Sequence, residues 1–329
     1  TAIGGAHRPC AHMEGVDQTI PVDELAAVAG AVAREAAAHV RRRRPELFGA
    51  TPGHGEPPQP AAVDSTVRPV STKSTVQPVS TKSTVQPVST KSTETDPVTL
   101  ADTETERLIR SLLREARPDD EVLGEEDGGS RAVPTGVRWV VDPIDGTVNF
   151  MYGVPAYAVS IAAQVDGQSV AGVVVDVARD VTYGATLGGG AWAADSAGVR
   201  RPLRCNPVDR AELALVATGF GYDAARRRQQ GRIVAELLPR VRDVRRIGAA
   251  ALDLCMVAAG AVDAHYEHGL SPWDWAAGGL IAAEAGAVVQ TPPPDSRADE
   301  GHITVAVAPG VADEFLALLD EFDARSPLT

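Results

Sequence analysis

The chain has 329 residues, 44% of them hydrophobic, which is enough for one large domain or two coupled domains around a buried core. Its 44 acidic residues outnumber its 31 lysines and arginines, and the net charge of −13 argues against a nucleic-acid-binding protein, whose footprint is normally basic. Three distant cysteines without C-x-x-C spacing argue against a disulfide framework or a zinc cluster and favour the reducing cytoplasm. No apolar run is long enough to span a membrane, and we expect no signal peptide.

The N-terminal region divides into a leader, a helix and a linker. Residues 1–20 are expected to form a disordered leader. Apolar residues at helical spacing predict a helix over Val22–Arg43. The run Arg41–Arg44 at its end suits the negative end of the helix dipole, and binding of a polyanion is the alternative interpretation. Pro45–Asp64, rich in Pro, Gly and Ala, is expected to be a linker.

A repeat with a period of nine residues follows this linker. Its three copies are Ser65–Lys73, Ser74–Lys82 and Ser83–Lys91. The unit is too short to stack as a solenoid and has no apolar face, so we expect an extended, mobile loop insertion over about residues 45–91. Only the last copy should be needed by the fold, because it runs directly into sequence with regular patterning.

Helical and strand patterns alternate through the rest of the chain. Thr99-x-x-Asp102 is expected to cap a helix. The predicted strands are Glu121–Leu123, Val137–Val141, Ala156–Val165, Val170–Val175, Val181–Ala185, Leu213–Thr218, Val241–Arg245, Val262–Tyr266, Ala287–Gln290 and Ile303–Ala308. The later predicted helices are Ala224–Leu238, Ala249–Ala259, Asp274–Ala285 and Val311–Phe322. We therefore expect layers of helices and sheets, with an antiparallel-rich front half to about residue 200, an α/β back half from about 201, and a cleft between them.

The most informative stretch is Trp139–Phe150, in which two aspartates follow an apolar run. We expect Asp142 at the carboxyl end of a strand, and Pro143 biases its backbone towards an extended conformation. Asp142, the Ile144 carbonyl and Asp145 can then point their oxygens into one small volume. Two carboxylates that lie so near each other repel unless a cation lies between them. Hard oxygen ligands favour Mg²⁺, Mn²⁺ or Ca²⁺. A polar turn with an Asx cap is the alternative for such a pair.

Two further acidic clusters are expected to join this pair. Glu125-Glu126 and Asp274 also lie at a strand end or a helix start, where ligands bind in α/β folds. Gly146-Thr147 would begin a helix or turn, and its free N–H groups would suit a phosphate. Asp274 would open its helix, and an ordinary N-cap is the alternative for that residue.

These motifs, taken together, resemble the inositol monophosphatase family. The resemblance is carried by Gly124–Glu126, Asp142–Phe150, Trp273–Gly278, the stretch Lys91–Asp102 and, for similarity to the actinobacterial members, Arg242–Gly260. It covers roughly Val22–Arg43 and Lys91–Phe322. It implies a single sugar-phosphatase domain over residues 21–329, with α/β layers in the order αβαβα. It also implies Mg²⁺-dependent hydrolysis of inositol-1-phosphate.

The resemblance also implies a role for each site residue. Glu125, Asp142 and the Ile144 carbonyl should hold a first Mg²⁺ ion. Asp142, Asp145 and Asp274 should hold a second, with Mn²⁺ as a substitute and an optional third ion near Asp102. Thr147, hydrogen-bonded to Glu125, should orient the attacking water and help to deprotonate it. The expected substrate-binding residues are Glu125, Ile144, Asp145, Gly146, Thr147, Gly248, Ala249, Ala250, Glu267 and Asp274.

Several alternatives stay open at this point. Glu267 could instead be a solvated acid on an edge strand. Relatives with the same metal ligands hydrolyse histidinol phosphate, fructose-1,6-bisphosphate or nucleotide 3′-phosphates, and the metal motifs do not separate these substrates. A regulatory protein that keeps the fold and acts through a protein partner is a further hypothesis. The family commonly forms homodimers and is inhibited by Li⁺, and we expect both here. Trp275, where relatives often carry a smaller residue, is expected to alter helix packing rather than chemistry.

Overall fold

The computed structural model describes residues 21–49, 89–90 and 97–329. The leader at 1–20 and the repeats, apart from Ser89–Thr90, lie outside these residues. The α-helices are α1 (Val22–Phe48), α2 (Leu100–Ala116), α3 (Thr147–Tyr152), α4 (Ala224–Leu237), α5 (Ala250–Ala258), α6 (Pro272–Glu284) and α7 (Ala312–Glu321). The strands are β1 (Ser89–Thr90), β2 (Pro97–Val98), β3 (Glu121–Gly124), β4 (Val137–Asp145), β5 (Ala158–Val165), β6 (Gln168–Asp176), β7 (Val181–Thr186), β8 (Gly190–Ala194), β9 (Arg200–Pro202), β10 (Leu215–Thr218), β11 (Asp243–Arg245), β12 (Ala264–His268), β13 (Val288–Gln290) and β14 (Ile303–Val307).

Two sheets carry the fold. The larger has the order β3-β4-β5-β6-β7-β8-β9 and is antiparallel except for the parallel pair β3 and β4. The smaller has the order β11-β10-β12-β14-β13, with β10 parallel to both of its neighbours and β14 antiparallel to both of its own. In the described residues, no helix combines the length and the apolar character needed to cross a membrane.

The helices lie in three layers around these sheets. Helices α1 and α2 pack on the outer face of the larger sheet, where Leu25, Ile109 and Trp139 are fully buried together. Helices α5 and α6 fill the space between the two sheets with small and apolar side chains. Helices α4 and α7 cover the far face of the smaller sheet through Leu237 and Phe315. The observed αβαβα order confirms the predicted layered fold.

Helix α1 is longer than predicted. It continues through Pro45 to Phe48, so the first residues of the expected linker are helical. Pro45 lies in the last turn, where the cost of its missing N–H is offset by tertiary contacts. Phe48 packs edge-on against Phe150 with ring centroids 5.5 Å apart, and Arg44 donates from Nε to the Phe150 carbonyl at 3.0 Å. Packing against α3 thus carries the helix past the proline.

Three arginines of the run at the end of α1 make contacts within the protein. Arg41 donates to the Val177 carbonyl at 3.2 Å and pairs with Asp180 at 2.7 Å. Arg43 pairs with Glu104 at 2.7 Å. With the buried Arg44 bound to α3, these contacts support the structural interpretation of the run over a polyanion site.

Two boundaries next to the acidic motifs differ from the prediction, and two strands were not predicted, each for a clear local reason. The strand predicted to end before Asp142 continues to Asp145, because a bulge absorbs Pro143 and Ile144. Helix α6 begins at Pro272 rather than at Asp274, since Ser271 is the N-cap and proline is favoured at the first helical position. Strands β8 and β9 were missed because a glycine-rich turn and a run of arginines give no strand pattern.

Candidate functional site

A bulge in β4 brings the two aspartates of the central motif together. Asp142 pairs with Ser160 and Asp145 with Ala158, so two residues of β4 stand opposite one residue of β5. Pro143 lacks an N–H and fits a bulge, where the ladder bond is interrupted anyway. The Asp142 carboxylate accepts the Ile144 N–H at 3.0 Å, which fixes the turn from within.

Helix α6 contributes a third carboxylate, that of Asp274, to the pair formed by Asp142 and Asp145. Single ligand oxygens of Asp142, Asp145 and Asp274 all lie within 4.8 Å of one another. Asp274 is the third residue of α6, and its carboxylate accepts the Ser271 N–H at 2.7 Å in a capping box. Asp274 is therefore not the N-cap of α6, which is Ser271; it completes the capping box from the third helical position, and the same carboxylate also faces the other two.

Asp145 links the larger sheet to the helices between the sheets. Its carboxylate accepts the Ala250 N–H at 3.2 Å and the Ala251 N–H at 2.8 Å, both at the start of α5. Burial raises the pKa of Asp145 to about 7, although the Ala251 N–H opposes this rise; the charge of Glu125 adds to it. Burial also raises the pKa of Asp274 well above its usual value, and the charges of Glu125 and Asp145 raise it further. Carboxylates that repel one another in this way are suited to a shared cation.

Thr147 is bound differently from the expectation. Its hydroxyl lies 3.0 Å from Asp102 Oδ1 and 3.1 Å from the Ile144 carbonyl oxygen, and the predicted bond to Glu125 is wrong. Asp102 is fully buried at the start of α2, where it completes a capping box with Thr99. The sequence indicates the cap through the Thr-x-x-Asp spacing, but it gives no signal that the second carboxylate oxygen would reach α3.

Gly146 closes the turn after the aspartates. Its φ of +89° favours glycine, and a Cβ there would lie 3.0 Å from the Ala156 carbonyl oxygen and 3.1 Å from that of Gly248. The Asn149 amide donates to the carbonyls of Ala156 and Ile247 at 2.8 and 2.9 Å. Asn149 therefore holds the segment before α5 against the turn that carries Gly146.

A buried glutamate supports the segment that carries Glu125. The Glu106 carboxylate on α2 accepts the N–H groups of Glu126 at 2.7 Å and Asp127 at 3.0 Å, and it pairs with Arg110 at 2.8 Å. A Cβ on Gly124 would stand 2.3 Å from the nearer Glu106 oxygen. The Gly-Glu-Glu motif thus needs glycine because a carboxylate occupies the space beside it.

All of the predicted site residues line one cleft of about 460 Å³. They are Glu125, Asp142, Ile144, Asp145, Gly146, Thr147, Gly248, Ala249, Ala250, Glu267 and Asp274. Glu267 lies on β12, which is an inner strand of the smaller sheet, so the edge-strand alternative is wrong. Burial raises the pKa of Glu267 to about 8, with Arg246 opposing the rise.

The cleft also has walls that the sequence analysis did not identify. Arg246, Phe220 and Tyr222 also line it, and the Arg246 guanidinium carbon lies 6.0 Å from the Phe220 ring centroid. The position of Arg246 directly after a predicted strand is the one signal that could have indicated it. Trp275, by contrast, is buried among α5 and α6 side chains, where it fills the core between the sheets.

Comparison with known proteins gives a consistent set of relatives. A model described as the inositol monophosphatase family matches residues 67–321. An inositol-1-monophosphatase of Mycobacterium leprae is 50% identical over 310 residues, covering 93% of this chain and 97% of the relative. The structure of Mycobacterium tuberculosis SuhB is 47% identical, with a TM-score of 0.71 and coverage of 92% and 98%. A Nus factor SuhB of Pasteurella multocida is 38% identical over 236 residues, covering 69% and 85%.

Proposed function

This chain belongs to the inositol monophosphatase family, and from that premise we propose that it hydrolyses inositol-1-phosphate to myo-inositol and phosphate with Mg²⁺. The observation that carries the proposal is the convergence of Asp142, Asp145 and Asp274 in a cleft that Glu267 also lines. The name of the Mycobacterium leprae relative supports the same substrate.

The donor set fits magnesium. Three buried or half-buried carboxylates meet within 4.8 Å, and the Ile144 carbonyl and Glu125 line the same cleft. We propose that Glu125, Asp142 and Ile144 hold one ion and that Asp142, Asp145 and Asp274 hold the other. When bound, such ions lower the pKa of the attacking water and stabilise charge on the leaving oxygen. Mn²⁺ has similar ligand preferences and would be the substitute.

Thr147 is proposed to position the attacking water. Because its hydroxyl proton is directed to Asp102 or to the Ile144 carbonyl, the lone pairs of its oxygen remain available to a water in the cleft. A proton taken from that water can then be shared with Asp102. We propose that the phosphate rests on the N–H groups of Gly146 and Thr147, and that Glu267, Asp274 and the segment 248–250 face the inositol ring.

A substrate panel tests this assignment. Steady-state kinetics with Mg²⁺ should give the highest kcat/KM for inositol-1-phosphate among four substrates: inositol-1-phosphate, histidinol phosphate, fructose-1,6-bisphosphate and a nucleotide 3′-phosphate. Faster turnover of another monoester would keep the phosphatase assignment and reject the substrate. Added Li⁺ should inhibit at saturating Mg²⁺, and unchanged activity would remove that expectation.

A regulatory role is the second candidate, and the Nus factor SuhB relative is the observation that favours it. In that case the fold would act through a protein partner, in addition to hydrolysis or in place of it. Asp142→Asn separates the two roles, because the change should abolish turnover while leaving a partner-dependent effect intact. Loss of both effects in a folded variant would argue that any regulation depends on catalysis.

We further propose a cytoplasmic homodimer. Cys205 and Cys255 carry free thiols, which suits a reducing compartment. Sedimentation equilibrium of the full chain should give twice the chain mass of 34.3 kDa. A mass equal to one chain at micromolar concentration would reject the dimer.

A further inference from the structure

A second group of metal-ligating side chains lies beneath the cleft, between α5 and β12. Asp253 projects from α5, and His265 and Glu267 project from the same face of β12 because they are two residues apart on a strand. One ligand atom from each lies within 4.8 Å of the other two. His265 Nδ1 is 3.8 Å from Asp253 Oδ2, which is longer than a hydrogen bond.

Two of these side chains, Asp253 and His265, are buried without hydrogen-bond partners among the described residues. Asp253 is 1% exposed and His265 is 0% exposed. Among the described residues, neither carboxylate oxygen of Asp253 and neither ring nitrogen of His265 has a hydrogen-bond partner. The hydroxyl of Thr304, which stands directly opposite Glu267 on β14, is also buried and unpartnered within this part of the chain. Buried polar groups are nearly always bonded, so such a concentration points to a missing ligand.

The local charges favour a cation. Burial raises the pKa of Asp253 well above its usual value, with the charge of Glu267 adding to the rise, and burial raises the pKa of Glu267 to about 8; Arg246 opposes both rises. Burial lowers the pKa of His265 to about 3, so the imidazole is neutral and offers a lone pair rather than a charge. A divalent ion would balance the two carboxylates, which the neutral histidine does not offset and Arg246 offsets only in part.

We propose that Asp253, His265 and Glu267 form a second metal site, separate from the Asp142–Asp145–Asp274 group, that binds a transition-metal ion of the Zn²⁺ class. An imidazole with two carboxylates suits Zn²⁺ better than Mg²⁺, and Thr304 or a water can complete the coordination. In the tetrahedral geometry of Zn²⁺, bonds of about 2.0–2.2 Å place ligand atoms about 3.3–3.6 Å apart. The His265–Asp253 separation of 3.8 Å is close to this range, and side-chain movements of up to about 1 Å would close the site around all three groups.

Occupation of this site would have a consequence for the reaction. Glu267 lines the cleft, and an ion held at its carboxylate withdraws that carboxylate from a substrate hydroxyl. Zn²⁺ at this site would therefore inhibit, and it would do so by raising KM rather than by displacing Mg²⁺. This consequence rests on the proposed function, whereas the metal site itself does not.

Calorimetry on the full chain tests the site without any activity readout. In an Asp142→Asn background, which weakens the other metal group, Zn²⁺ should bind at one equivalent in the presence of saturating Mg²⁺. His265→Phe and Asp253→Asn should each weaken this binding at least tenfold, while His302→Phe, at a surface histidine, should leave it unchanged. Circular dichroism establishes that each variant is folded. Equal Zn²⁺ affinity in the folded His265→Phe and His302→Phe proteins would overturn the proposal.

Anomalous diffraction covers the case in which both core variants unfold. Crystals of the unmutated chain soaked in Zn²⁺ should give a peak between Asp253, His265 and Glu267 at the zinc edge. A map with no peak there at saturating Zn²⁺ would overturn the site and would indicate that the three groups share protons instead. Either result is independent of which phosphate ester the enzyme cleaves.

Discussion

Thr147 is the residue whose contacts make the sharpest prediction about chemistry. Its hydroxyl joins Asp102 to the Ile144 carbonyl, so Thr147→Val removes the group that would position the water while keeping the side-chain shape. We expect kcat to fall by about 10²–10⁴-fold, the usual contribution of a positioned proton-transfer group. Thr147→Ser keeps the hydroxyl and should retain most of the activity. Steady-state rates at saturating Mg²⁺ measure both, and equal rates for the two variants would contradict the role.

Glu267 allows a prediction about substrate choice. If it binds a ring hydroxyl, Glu267→Ala should raise KM for inositol-1-phosphate by about 10–100-fold, because a buried polar group that loses its hydrogen-bond partner costs about 1–3 kcal/mol. The kcat/KM for p-nitrophenyl phosphate, which has no such hydroxyl, should change little. A parallel loss on both substrates would show that Glu267 supports the cleft and not the ring.

At the scale of elements, Gly124 tests how β3 and α2 jointly hold the Glu125 segment. The Gly124→Ala methyl would collide with the Glu106 carboxylate, which itself holds the Glu126 and Asp127 N–H groups. We expect weaker Mg²⁺ binding and lower kcat although no ligand is changed. Gly231→Ala on α4 is the matched control, because nothing lies within 4 Å of its added Cβ. That control should keep full activity and gain up to about 1 kcal/mol in stability from helix propensity.

The start of α2 gives a second prediction at this scale. Thr99 accepts the Asp102 N–H at 3.4 Å, and Asp102 accepts the Thr99 N–H at 2.9 Å. Thr99→Ala removes half of this capping box and should cost about 1 kcal/mol of unfolding free energy, whereas Thr99→Ser should cost little. Urea unfolding of the two variants measures the difference. Equal midpoints would mean that tertiary contacts alone fix the start of α2.

These elements show what local sequence determines. The cap at Thr99 follows from spacing within one turn, and the structure confirms it. The contact of Thr147 with Asp102 joins residues 45 positions apart, and no local pattern encodes which of several nearby carboxylates it reaches. The continuation of α1 through Pro45 likewise depends on packing against Phe150, which overrides a local helix-breaking signal.

On the scale of the whole molecule, the residues of the candidate site come together because two sheets share one helical layer. The bulge in β4 supplies Asp142 and Asp145, α6 supplies Asp274, and β12 supplies Glu267. Asp145 also receives two N–H groups from α5, so the same carboxylate faces the site and ties the larger sheet to that layer. The residue types at strand ends and helix starts were enough to predict these four carboxylates. The groups that hold them in place, such as Asp102, Glu106 and Asn149, depend on three-dimensional contacts that the sequence pattern does not encode.

A buried histidine in the smaller sheet allows us to predict how the stability of the whole protein depends on pH. His268, at the end of β12, is buried and donates from Nε2 to the Ala324 carbonyl at 2.6 Å. Burial lowers its pKa to about 4, so in the folded protein it stays neutral where an unfolded histidine, with a pKa near 6.5, is protonated. The unfolded state therefore binds more protons between these values, and stability present above about pH 6.5 is lost as the pH falls towards 4.

The expected loss is about 2 kcal/mol for His268 between neutral pH and about pH 5, at 1.36 kcal/mol per pKa unit. His265, with its pKa lowered to about 3, adds a loss of the same sign. His268→Gln keeps a donor for Ala324 but cannot titrate, so its free energy of unfolding should fall less steeply over this window. Urea unfolding at the two pH values measures both slopes. If the free energy of unfolding changed equally with pH in the variant and the unmutated chain, His268 would be protonated in the folded protein over this range. Burial on β12 would then not keep its imidazole neutral.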